Sequence, residues 1–137
     1  MAIEIRVHRK LSSRVNRVRL KRAASRALNA EKERGRVSIY VAPDSEIRQL
    51  NRKFHATDAP TDVLSFPSND PDYLGDIVIS YDRARIQARE AKWRIADELD
   101  LLAVHGALHL LGYDDTTPRK RAAMWKQQER ILGKVKG

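Results

Sequence analysis

His105 and His109 stand four residues apart in the stretch H-G-A-L-H-L-L-G-Y-D-D (105–115). On a helix this spacing puts both imidazoles on one face, one turn apart. There they can hold a single divalent metal, zinc first among them. Two histidines do not complete a site, but three features of the stretch point further. The surrounding helix is apolar, so imidazoles within it need partners other than water. Gly106 costs roughly 1 kcal/mol of helix stability against alanine, which suggests close approach by another segment or by a ligand. Gly112 breaks the helix ahead of Tyr113, Asp114 and Asp115, so the chain can turn and bring Asp115 back beside the rings. The expected third ligand is therefore Asp115. Its competing roles are a solvated loop carboxylate or a cap for the next helix, and Thr116 or Thr117 is better placed to cap. Two imidazoles and a carboxylate with one position open form a catalytic kind of site. In H-E-x-x-H proteases a glutamate beside the first histidine is the general base. Gly106 occupies that place here, which disfavours peptide hydrolysis by that route, and a glycine there could leave room for a phosphodiester.

Candidate proton carriers around the pair are His55, Asp62 and Asp114. Asp62, in P-T-D at a strand entry, reads first as turn chemistry. Ser65 has no histidine partner in its vicinity of the sequence, so a serine hydrolase is a poor reading. Trp93 and Trp125 read as core residues. Arg19, Arg22 and Arg26 form a helical ridge at i, i+3 and i+7 that could track phosphates, with binding that weakens steeply with salt.

The elements that must position these groups follow from periodicity. Residues 2–7 alternate as a strand. Residues 14–33 form a helix with Leu20, Ala23, Ala24 and Ala27 on one face, stopped by Gly35. Residues 36–42 are a β-branched strand. A helix capped by Asp44 or Ser45 turns Ile47, Leu50 and Phe54 inward. Strands at 61–66 and 75–80 flank a turn, S-N-D-P-D-Y. Asp82 caps a helix to about Trp93. Residues 96–111 make a buried helix that ends at Gly112, and Thr117-Pro118 starts a last helix, 118–132. The order βαβαββααα predicts an α/β (α+β) fold. Its small mixed sheet of about four strands packs with about five helices, and the 96–111 helix is central to the core.

The chain has 137 residues, which suits a single domain spanning 1–137. It has no cysteine, so neither disulfides nor thiolate metal sites arise, and a reducing cytoplasm is the expected compartment. No apolar run approaches the length of a membrane helix, and the start has no secretory pattern. The net charge is +9. Residues 1–36 hold 12 Lys and Arg against 3 Asp and Glu, whereas the remainder holds 15 of each. A basic first third on a neutral remainder suits a polyanionic partner, nucleic acid before a membrane surface.

The 105–115 stretch closely resembles the metal motif of the YbeY family of bacterial endoribonucleases and rRNA maturation factors, which typically reads H-G-x-L-H-L-x-G-Y-D-H. L-N-R-K-F-H-A-T-D-A-P-T-D-V-L-S-F-P (50–67) and L-G-D-I-V-I-S (74–80) resemble two further blocks of that family, in the same order. The resemblance implies a compact α/β domain with a zincin-like metal-site helix. It implies Zn²⁺ held by His105, His109 and the motif's last position. It also implies metal-dependent cleavage of single-stranded RNA in 16S rRNA maturation and ribosome quality control, with the small ribosomal subunit as partner. Two positions differ from the pattern. Asp115 replaces the last histidine; its oxygen binds zinc at a similar distance, and the ligand set also suits Mn²⁺ or Fe²⁺. His55 stands where the family keeps an arginine, and it can bind phosphate when protonated. Both changes favour the rival reading, a non-enzymatic RNA-binding ribosome-assembly factor with a weak or structural metal site. A hydrolase of small molecules is a third reading, against which the charge argues.

Overall fold

The computed structural model describes residues 3–133. Its strands are β1 (Ile3–Val7), β2 (Arg36–Ala42), β3 (Val63–Pro67) and β4 (Tyr73–Ser80). Its α-helices are α1 (Arg17–Ala30), α2 (Asp44–His55), α3 (Tyr81–Ala91), α4 (Ile95–Leu110) and α5 (Pro118–Leu132). The sheet order is β1-β2-β4-β3. β1, β2 and β4 run parallel, and β3 pairs antiparallel with β4 at the edge. The mixed sheet with five α-helices is the architecture the periodicity predicts.

The alternation of β4 divides the interior. Ile77 and Ile79 join Ile39, Val41, Leu20, Ala27 and Leu108 in the main core, with α1 and α4. Val78 joins Leu64, Ala42 and Ile47 in a smaller cluster under α2. Period-2 strands thus supply two faces. The apolar α4 is buried because sheet, α1, α3 and α5 all pack on it. Its first turn nevertheless buries Asp97 and Glu98. Asp97 accepts from Arg19 Nη2 at 2.6 Å and from the Arg94 backbone, and Glu98 accepts from Trp93 Nε1 at 3.0 Å.

Several local expectations need correction. The helix expected from residue 14 starts at Arg17, because the Asn16 side chain accepts from the Arg19 N–H, and a 3₁₀ helix occupies Arg9–Arg14. Ser80, not Asp82, caps α3, while Asp82 accepts from the Asp44 N–H. Phe54 is 56% exposed rather than inward. It lies over the sheet's edge strand, with the edge-on ring of Phe66 5.4 Å away and the Lys53 ammonium 5.3 Å from its ring centroid. Trp125, expected in the core, is 39% exposed.

Candidate metal centre

The last two turns of α4 bring His105 and His109 together, with ring centroids 4.6 Å apart and Nε2 atoms 3.1 Å apart. The turn after α4 then closes tightly. The Tyr113 N–H donates to the Leu108 carbonyl at 3.0 Å and the Gly112 N–H to that of His109 at 3.1 Å. Gly112 takes φ +102°, a conformation side chains disfavour. The reversal returns Asp115 to the rings. One ligand atom from each of His105, His109 and Asp115 lies within 4.8 Å of the others.

Asp114 braces this turn. It accepts from the Thr116 N–H at 3.1 Å and the Thr116 hydroxyl at 2.8 Å, and Lys120 lies 3.5 Å away. Those hydrogen bonds, the backbone one first, hold its carboxyl below the usual range. Thr117 takes the capping role for α5, which leaves Asp115 outside it. The Tyr113 hydroxyl ties the turn to Glu31 at 3.1 Å.

The electrostatics suit a cation. Burial first, and the neighbouring His105 second, push the His109 pKa below its ordinary value, against the opposing pull of Asp115 and the Tyr113 backbone. His105 Nδ1 lies 2.5 Å from Gln128 Oε1. An amide oxygen can only accept, so Nδ1 carries the proton and Nε2 keeps its lone pair. Lone-pair nitrogens facing a carboxylate form a donor set that fits Zn²⁺ and, by ligand type, Mn²⁺ or Fe²⁺. A partner on the far ring nitrogen is what a metal-ligating histidine usually has.

A cavity of about 590 Å³ opens beside His105, between α3 and α5. Asp62, Gln87, Glu90, Trp125 and Gln128 line it. Asp62 thus shares a cavity with His105, and there it accepts weakly from Gln87 at 3.4 Å while its carbonyl accepts from the Ser80 N–H. His55 does not line this cavity; it is exposed at the end of α2 with its ring stacked on Phe66, 5.7 Å away. Nor does Gly106 make room for a substrate. A Cβ there would fall 2.6 Å from Ile77 Cγ2, so the glycine lets α4 press on β4.

The arginine ridge is not uniform. Arg19 donates to Asp97 at 2.6 Å and to Asp100 at 2.8 Å, and these hydrogen bonds help raise its pKa. Its charge is therefore spent inside the protein, leaving exposed Arg22 and Arg26 as phosphate candidates. The ridge meets the first two turns of α4 at Asp97 and Asp100, which at about 1.5 Å per residue lie roughly 18 and 13 Å before His109 along the axis.

Gln128 is the residue the sequence reading missed. It is fully buried on the Met124, Gln128, Ile131 stripe of α5. An amide interrupting an apolar i, i+4, i+7 stripe was the available signal.

The chain is similar to known proteins in sequence and in fold. The family model described as endoribonuclease YbeY matches residues 4–136. A Chloroflexus aggregans protein named endoribonuclease YbeY is 44% identical, covering 82% of this chain and 83% of its own. A Moorella thermoacetica protein of the same name is 43% identical, covering 94% and 89%. A Thermotoga maritima protein of known solution structure superposes with TM-score 0.69 at 30% identity, covering 95% of this chain and 86% of that one. With the family pattern matched along nearly its whole length and histidines brought together at the end of α4, this chain belongs to the YbeY family.

Proposed function

We propose that this protein is a metal-dependent endoribonuclease that cleaves single-stranded RNA, with the ends of 16S rRNA on the small ribosomal subunit as its substrate in the cytoplasm. The observation that carries the reading is the convergence of His105, His109 and Asp115 on one point. The names of its relatives give the substrate class. Zn²⁺ is the proposed ion. When bound, it supplies Lewis acidity toward a phosphoryl oxygen or a water.

The chain's own residues do the rest. His105 and His109 offer neutral nitrogens, and Asp115 offsets part of the ion's charge. Asp62 carries the proton, a reading supported by its sharing a cavity lining with His105. Asp114 holds the returning loop in shape rather than reacting. His55, exposed and stacked on Phe66 beside Phe54, is the candidate RNA contact at the end of α2. Arg22 and Arg26 add long-range attraction for phosphates.

The test pairs metal content with cleavage. Protein purified without chelator should hold near one zinc per chain and cut single-stranded RNA, and His109→Ala should lose both. Metal-free protein that binds RNA without cutting it would establish the assembly-factor reading instead. Absence of a 2′,3′-cyclic phosphate throughout a time course would assign the attack to water rather than to the RNA's own 2′-hydroxyl.

A further inference from the structure

Gln128 comes from α5, 23 positions beyond His105 in sequence, yet it makes the hydrogen bond that orients that ring. Its side chain is fully buried, and its amide nitrogen is a buried donor with no hydrogen-bond partner among the described residues. Leaving such a donor unpaired is costly, because it gives up its hydrogen bond to water and gains none in return. The opposite amide orientation would turn the nitrogen toward His105 Nδ1 and make that atom an acceptor. His105 would then carry its proton on Nε2, the atom that faces His109 and Asp115. A protonated Nε2 cannot ligate a metal. The observed orientation keeps Nε2 bare and leaves the amide nitrogen unsatisfied.

We propose that Gln128 is a positioning residue of the metal centre. It fixes His105 as the Nδ1–H tautomer and aims its Nε2 lone pair at the site before any metal arrives. The inference rests on the reading of His105 as a metal ligand. It also gives α5 a task, since a helix whose outer side is solvated carries the group that sets the chemistry of α4.

The experiment is NMR of the metal-free protein at about pH 8, where an imidazole is neutral. Long-range ¹H–¹⁵N correlations report directly which ring nitrogen bears the proton. Wild type should show His105 in the Nδ1–H form. Gln128→Met, similar in size but without the acceptor, should mix the tautomers and weaken Zn²⁺ binding by about 10–100-fold in a chelator competition. Gln128→Glu, which keeps the acceptor oxygen, should restore the Nδ1–H form and most of the affinity. An Nε2–H tautomer in wild type would overturn the assignment. So would Gln128→Met with wild-type tautomer and wild-type zinc affinity, the result expected of a purely structural residue. If Gln128→Met does not fold, the wild-type tautomer decides alone. Wild type that takes up no zinc would sink the metal reading itself, so the two failures are read in separate measurements.

Discussion

Gly106→Ala tests why a glycine follows the first histidine. A Cβ at this position meets Ile77 Cγ2 at 2.6 Å, Cγ1 at 3.2 Å and Cδ1 at 3.3 Å. Carbon atoms at ease stand about 3.5–4.0 Å apart, so helix and strand must separate by about 1 Å at the closest point. Ile77 is fully buried in the main core, and β-branching limits its rotamers. The Ser65 hydroxyl adds a constraint, donating to the Gly106 carbonyl at 3.1 Å. Overpacking of this kind costs about 1–3 kcal/mol. Removing a glycine from a helix interior returns roughly 1 kcal/mol. The net expectation is a loss of about 1 kcal/mol, or some 3–5 °C in Tm for a domain of this size. Urea denaturation of the two proteins measures it. Ile77→Ala, costly alone, should be less costly when combined with Gly106→Ala, because the new methyl occupies part of the vacated space. If glycine were kept to admit a substrate, Gly106→Ala would be more stable by about 1 kcal/mol and impaired only in function. That result, with no coupling to Ile77, would refute the packing argument.

The remaining predictions concern charge. Arg19→Met removes the guanidinium that bridges Asp97 and Asp100; because Arg19 is itself 30% exposed, the loss should be about 2 kcal/mol rather than the 3–5 of a fully buried pair, read from urea midpoints. Replacing Arg22 and Arg26 together by Gln should leave stability within about 0.5 kcal/mol. It should lower RNA affinity and reduce the salt slope by about 0.7 per charge removed; an unchanged slope would dismiss the ridge as a phosphate contact. Asp115→Ala should weaken Zn²⁺ binding by more than about tenfold with little change in metal-free stability, since Asp115 is exposed. For pH, the native pKa of His109 lies below its unfolded value. Its contribution to stability is therefore complete above about pH 6.5 and is lost as pH falls through the lowered native value. Zinc uptake should fail in that same acidic window, because proton and metal compete for one nitrogen; titrating binding from about pH 8 down to pH 5 checks it.

Most of the fold was legible because its signals are local. The β-branched run of residues 36–42, the Thr117-Pro118 start and the Gly112 stop each act within a few residues, and the elements they predict are present. Errors arose where neighbours in space decide. Phe54 has the right spacing for a core position, yet the sheet ends beneath it. Asp82 looks like a cap, but Ser80, two positions earlier, accepts the bond from the Arg83 N–H. Arg19 looks like its neighbours on the ridge. Only the approach of α4 shows that two carboxylates consume it.

The site divides along the same line. His105, His109 and Asp115 fall within one helix and its terminating turn, so helical geometry and one glycine suffice to bring them together. Gln128 meets His105 and Asp62 lines the cavity beside it, both from other elements, and no spacing rule connects residues 62, 105 and 128. What links Gln128 to His105 is satisfaction of a buried polar atom: an imidazole on an apolar helix has two nitrogens, and the proposed ligand role accounts for one. For His105 the other finds its partner on α5, in Gln128, whereas for His109 the Tyr113 backbone of the turn after α4 serves. The polar interruption of the α5 stripe is the mark such a partner leaves in sequence. A metal centre on a buried helix can therefore be sought as a pair of signals, histidines at helical spacing and a lone buried amide or carboxylate on the stripe of a helix that packs against them.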